Sequence, residues 1–248
     1  MRRILLLVLV LATAAHADLI YRATVRSRGK TKTFTVWLHG NHARVVDEAD
    51  PPDSSYALVR DGEKVYLVDV GERQYLYMDL KQLIGPALAE IDRARQARVS
   101  SPQAKLLIDE PGPEIAGTAT RHYRFRLSVN VELHQPEERF ERVLIEDFWT
   151  APTIQEQPVG VWQVEKPDVQ LDPAIDAVFR AALRQMQGFP LKRVTVMTLK
   201  TEDGNSRIGM RSETEVLGVK SVEVPESQVA LPEGYKQVTI EGLKAPRK

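Results

Sequence analysis

Arg121-His-Tyr-Arg-Phe-Arg-Leu-Ser-Val-Asn-Val-Glu-Leu133 decides the fold class of this chain. Tyr123, Phe125, Leu127, Val129, Val131 and Leu133 alternate with Arg124, Arg126, Ser128, Asn130 and Glu132. A period of two places successive side chains on opposite faces of a strand, so this run reads as a long strand with one face buried. At about 3.3 Å per residue it would span roughly 40 Å, enough to be shared by most of a sheet. After a polar connection containing Pro136, Phe140 to Trp149 reads as the return strand of a hairpin. Val194 to Lys200 and Ser206 to Val216, joined through Asp203-Gly204-Asn205, read as another hairpin, and Val222 to Val224 as a last short strand.

The same pattern runs upstream. Tyr21, Ala23 and Val25 alternate with Arg22, Thr24 and Arg26; Lys32 to Leu38 and His42 to Val46 flank His39-Gly40-Asn41 as a hairpin. Tyr56 to Arg60, the tight turn Asp61-Gly62, Lys64 to Val70 and Arg73 to Met78 continue a meander of short antiparallel strands. Val65-Tyr66-Leu67-Val68 is apolar throughout, which predicts cover on both faces of that strand.

Two helices are expected. Over Leu80 to Val99, Leu80, Ile84, Ala87, Leu88, Ile91 and Ala94 fall at helical spacing. Over Asp172 to Gln187, Asp172 is an N-cap, Pro173 occupies the first helical position, and Gly188 with Pro190 stops the run. Its apolar stripe is Ile175, Val178, Phe179, Ala182, Leu183 and Met186. Residues 100 to 113 and 151 to 171, rich in proline, read as irregular. The fold class is therefore mostly β (α+β): a strongly curved antiparallel sheet, a half-open β-barrel, with two inserted helices on its concave side.

Met1 to Ala17 reads as a secretory signal peptide. Arg2 and Arg3 form the charged end, Ile4 to Ala12 the apolar core, and Ala15-His16-Ala17 the cleavage site. The apolar run is too short for a membrane span, which takes about 20 residues. The expectation is a periplasmic or secreted mature chain, residues 18–248, forming one domain without an integral membrane segment. Of 34 basic residues the signal removes Arg2 and Arg3, leaving 32 against 34 acidic ones, a net charge near −2. That balance offers no field for nucleic acid. The chain has no cysteine, which excludes disulfides, thiolate chemistry and a lipidated N-terminal cysteine.

Few residues suggest chemistry. His39 and His42 flank a turn but lack a third ligand, so they read as polar residues at a hairpin tip. His122 falls on the polar side of its strand and reads as solvated; His134 lies at the end of the same strand. Glu146 and Asp147, beside Phe148 and Trp149, are the carboxylates best placed for partial burial. As strand neighbours they point to opposite faces and cannot act on one atom, so they read as edge or solvent charges. Neither a Gly-x-Ser-x-Gly turn nor a glycine-rich phosphate loop is present. No catalytic residue, cofactor or metal is expected.

The order of elements and several short motifs resemble a known fold. These are Phe34-Thr-Val-Trp37 through Asn41-His-Ala-Arg-Val45, then Ile115-Ala116-Gly117 leading into the long strand, and Phe148-Trp-Thr-Ala-Pro152. Gly188-Phe189-Pro190 and the closing Val229-Ala-Leu-Pro-Glu-Gly-Tyr235 complete the set. Over roughly Asp18 to Val238 the chain resembles the periplasmic lipoprotein-sorting (LolA/LolB-like) fold, and more narrowly an uncharacterised domain family of exported bacterial proteins with that fold. The resemblance implies a half-barrel with a hydrophobic cavity, which relatives use to hold acyl chains or sense lipoproteins. Candidate cavity-lining residues are Phe34, Val36, Tyr66, Val68, Tyr75, Phe125, Leu127, Phe179, Leu183 and Met186. Expected partners are a lipid or lipoprotein acyl chain or, alternatively, an envelope protein docked on the sheet surface or edge over a filled core.

Overall fold

Strand alternation of this kind dominates the computed structural model, which describes residues 18–51, 54–61, 64–79, 98–134, 137–156 and 173–239. The stretch Met1 to Ala17, expected to be a signal peptide, and nearly all of the helix expected at Leu80 to Val99 lie outside them. Twelve strands form one sheet: β1 (Leu19–Ser27), β2 (Lys30–His39), β3 (His42–Asp47), β4 (Ser55–Arg60), β5 (Lys64–Asp69), β6 (Gln74–Asp79), β7 (Arg98–Pro111), β8 (Arg121–His134), β9 (Glu137–Ala151), β10 (Phe189–Thr201), β11 (Ser206–Ser221) and β12 (Lys236–Val238). The order across it is β12-β6-β5-β4-β3-β2-β1-β11-β10-β9-β8-β7. The sheet is curved and does not close, so its two ends are β12 and β7. Two antiparallel meanders meet where β1 pairs β11, from Leu19 opposite Ser221 to Ser27 opposite Ser212. Among the described residues there are two short helices, α1 (Pro173–Leu183) and α2 (Glu226–Val229).

Register defines the two faces. On β1, Leu19, Tyr21, Ala23 and Val25 are buried, and they stand opposite Leu38, Val36, Phe34 and Lys32 of β2. Continued through β11, β10 and β9, this inner face reaches Tyr123, Phe125, Leu127, Val129 and Val131 of β8, where α1 inserts Phe179 and Ala182. Helix α2 packs against β2 and β3.

Three sequence expectations differ. Residues 100 to 113, expected to be irregular, lie largely in β7, and Arg98 and Val99, expected to end a helix, open that strand. Its register against β8 slips between Ser100 and Gln103 and again between Leu106 and Ile108, with Ser101 at φ +54°. Such bulges hide the alternation, and Pro102 is tolerated because an edge strand needs no N–H on its free side. Val222 to Val224 is not a strand: the Val222 amide donates to the Asp18 carbonyl and that of Val224 to the Asp18 carboxylate, leaving the segment tied to the start of β1. On β5, Val65 is buried on the inner face and Val68 on the outer, but Leu67, also on the inner face, is 42% exposed, so the cover expected on that face is incomplete. The outer cover is the C-terminal segment, with Leu231 and Tyr235 packing beside Tyr56 and Leu58 before β12 pairs β6 in parallel.

Candidate functional site

The inner face carries two adjoining apolar clusters. Tyr21, Val36, Leu38, Val45 and Val59 form one, closed by Phe189, whose ring meets Tyr21 edge-on at 5.4 Å between centroids. Tyr123, Phe125, Leu127, Val129, Leu144 and Phe148 form the other under α1. Of the residues expected to line a cavity, Val36 lies in the first cluster and Phe34 packs against it. Phe125, Leu127 and Phe179 lie in the second, with Leu183 and Met186 packed beside them. Tyr66, Val68 and Tyr75 are on the opposite face, where Tyr66 sits 5.9 Å from Tyr75 and 5.2 Å from Tyr77. The apolar run of β5 does not tell which of its faces is concave, and these three stand apart from the other seven.

A buried ion pair crosses the inner face. Glu146 is 2% exposed, and Arg193 of β10 donates Nε and Nη2 to its two oxygens at 2.7 and 2.8 Å. Thr195 donates its hydroxyl to the same carboxylate at 3.0 Å, and the guanidinium lies 5.4 Å from the Phe148 ring centroid. Two charge-assisted bonds and a hydroxyl are what a desolvated carboxylate requires. Asp147 is also buried, on the outer face, where Arg124 Nε donates to Oδ1 at 2.7 Å and His122 Nε2 lies 2.6 Å from the same oxygen. His122 stacks on Trp149 with ring centroids 4.5 Å apart. The opposite-face expectation for Glu146 and Asp147 holds, but neither is a solvent charge and His122 is not solvated. Their partners stand on neighbouring strands, 25 and 47 residues away in sequence.

An outer-face groove of about 330 Å³ escaped the sequence reading. It is lined by Pro113, Ile115, Trp149, Lys192, Val194, Arg211, Glu213 and Glu215. Lys192 bridges Glu213 and Glu215 at 2.9 and 2.8 Å. Burial opposes the charge on Lys192, yet the bonds to Glu215 and Glu213 raise its pKa overall, and the bond from Lys192 lowers that of Glu213. The readable signal was Lys192 followed, one strand later, by two glutamates at alternate positions.

The hairpin histidines do not converge. His39 Nδ1 lies 2.9 Å from Asp18 Oδ2, which raises the His39 pKa, whereas His42 lies 4.0 Å from Asp61. No group of three or more His, Asp or Glu side chains suited to a metal occurs among the described residues. The His134 side chain lies outside the described residues. No described helix is long and apolar enough to cross a membrane.

No family model and no curated protein matches the chain. Among solved structures it is similar to an uncharacterised conserved protein from Thermus thermophilus, at 10% identity, 91% coverage of both chains and a TM-score of 0.35. It is also similar to MucB, at 12% identity and a TM-score of 0.37, over 90% of this chain and 60% of that one.

Proposed function

We propose that this protein is an exported, non-catalytic binding protein of the bacterial envelope. Its ligand is a lipid, acyl chain or other hydrophobic molecule held on the inner face of the half-open sheet. Residues 18–248 act as one domain, released into the periplasm or beyond by removal of Met1 to Ala17. The observation that carries this reading is the inner face itself: apolar side chains run from β1 to β8 on a sheet that curves without closing. Pockets for apolar ligands are built in this way, mostly apolar with a few fixed polar groups. The edges favour the same reading over strand addition to an envelope partner. β7 carries two bulges, Pro102 and Lys105, and β12 has only three residues; these devices discourage pairing with another chain.

The test is native mass spectrometry, with organic extraction, of the protein recovered from the periplasm of an expressing cell. A lipid at near-stoichiometric amount is expected. A clean apo mass, with no uptake of a fluorescent fatty-acid probe, would refute the proposal.

A further inference from the structure

Among the described residues, three arginines have a buried Nε atom that itself makes no hydrogen bond: Arg44, Arg60 and Arg142. Two of them are accounted for by rings. Arg44 lies 3.9 Å from the Tyr56 centroid and Arg60 5.8 Å from that of Tyr66, so the aromatic faces replace part of the lost hydration. Arg142 has no ring, carboxylate or other hydrogen-bond partner among the described residues. Its place in the sheet makes this unusual. Alternation along β9 puts it on the inner face between Phe140 and Leu144, with Val129 opposite on β8 and Leu199 opposite on β10. Glu146, two steps along the same face, is already bound by Arg193 and Thr195, and Glu141 points to the other face, toward Arg126. Arg142 is half-buried, and of its donors Nε is the one that is buried and unpaired; a guanidinium stays charged at every physiological pH, and leaving a donor unpaired in apolar surroundings is costly.

We propose that Arg142 is the headgroup anchor of the ligand site, and that the ligand is an anionic amphiphile. Its carboxylate or phosphate oxygens take the guanidinium donors while its alkyl chain lies along the apolar inner face. This assignment rests on the hydrophobic-ligand reading above and narrows it to one chemical class. Arginine suits the task because its planar fork pairs two oxygens at once with carboxylate or phosphate. The apolar neighbours select for a chain attached to that anion and against a small hydrated ion.

The experiment measures binding of cis-parinaric acid and of its uncharged methyl ester to the mature protein and to Arg142→Gln and Arg142→Lys. Palmitate and hexadecyl phosphate then compete against the acid. The unaltered protein is expected to favour acid over ester by roughly tenfold or more, the yield of one charge-assisted bond. Arg142→Gln should weaken the acid alone and erase the preference, and Arg142→Lys should keep part of it. Stronger competition by hexadecyl phosphate points to a phospholipid source, and by palmitate to a free fatty acid; both fit the anchor. Equal binding of acid and ester by the unaltered protein, or a preference that survives in Arg142→Gln, would overturn the anchor while leaving the hydrophobic site standing. If no probe binds, the proposed function falls and the anchor with it. Arg142→Gln should also melt no lower than the parent; a fall beyond ~10 °C would mark Arg142 as structural and overturn the assignment.

Discussion

Glu146 offers the sharpest energetic test of the inner face. Its carboxylate is 2% exposed, and the Arg193 side chain that binds it is 19% exposed. Glu146→Ala removes both guanidinium bonds and the Thr195 bond, leaving a half-buried cation beside Phe148. Breaking a buried pair from one side costs about 3–5 kcal/mol, because the remaining charge keeps its desolvation penalty while losing these bonds. Arg193 retains an edge toward water, so the expectation lies at the low end, about 3 kcal/mol, or a fall of roughly 6–12 °C in Tm for a chain of this size. The double variant Glu146→Leu with Arg193→Met removes both charges and keeps apolar volume. It should recover most of the loss, since well-packed apolar replacements of buried pairs are often neutral or better. Urea unfolding followed by circular dichroism measures both. A single variant within about 1 kcal/mol of the parent would refute the claim that this pair is desolvated. So would a double variant no more stable than the single one.

Two further outcomes follow from local geometry. Gly188 has φ +83°, and a Cβ there would sit 2.3 Å from the Ala151 carbonyl oxygen, so Gly188→Ala should displace the β9–β10 connection and cost at least about 2 kcal/mol, read by thermal melting. The pKa of His39 is raised chiefly by its hydrogen bond to Asp18, so the stability it contributes is complete below the unfolded value of about 6.5 and disappears as pH rises through the higher folded value. NMR titration should therefore place the His39 midpoint higher in the parent than in Asp18→Asn, and the Val224 amide, which donates to Asp18, should exchange faster in that variant; equal midpoints would sink the assignment.

Sequence alternation was legible wherever one face of a strand is buried and no bulge intervenes, as in β1 and β8. It failed in β7 because two register slips reset the phase, and it did not separate Tyr66, Val68 and Tyr75 from the other candidates because β5 and β6 carry apolar side chains on both faces. Burial of Glu146, Asp147 and His122 was hidden for another reason: each is matched by a side chain on a neighbouring strand, and one strand's sequence does not state its cross-strand register. The orphan at Arg142 was hidden in the same way, since it emerges only when Val129 and Leu199 are seen to flank it.

That flanking permits a direct test of why Arg142 is left unpaired. Along the inner side of β9 the order Phe148, Glu146, Leu144, Arg142, Phe140 presents two charges in an apolar row. The first is neutralised across the strand by Arg193 and Thr195; the second faces Leu199, which offers nothing. Directly opposed residues on antiparallel strands bring their Cβ atoms to about 5 Å, so Leu199→Glu would place a carboxylate within reach of the guanidinium. If the missing partner is only an imperfection of the fold, the new pair should leave binding of anionic amphiphiles unchanged. If the guanidinium donors are kept open for a ligand headgroup, the introduced carboxylate should engage them instead. The acid-over-ester preference should then fall toward unity, while binding of the methyl ester persists through the apolar face. The expected outcome is the second, measured with the same parinaric probes; an acid preference retained in full, in a variant that melts within a few degrees of the parent, would defeat it.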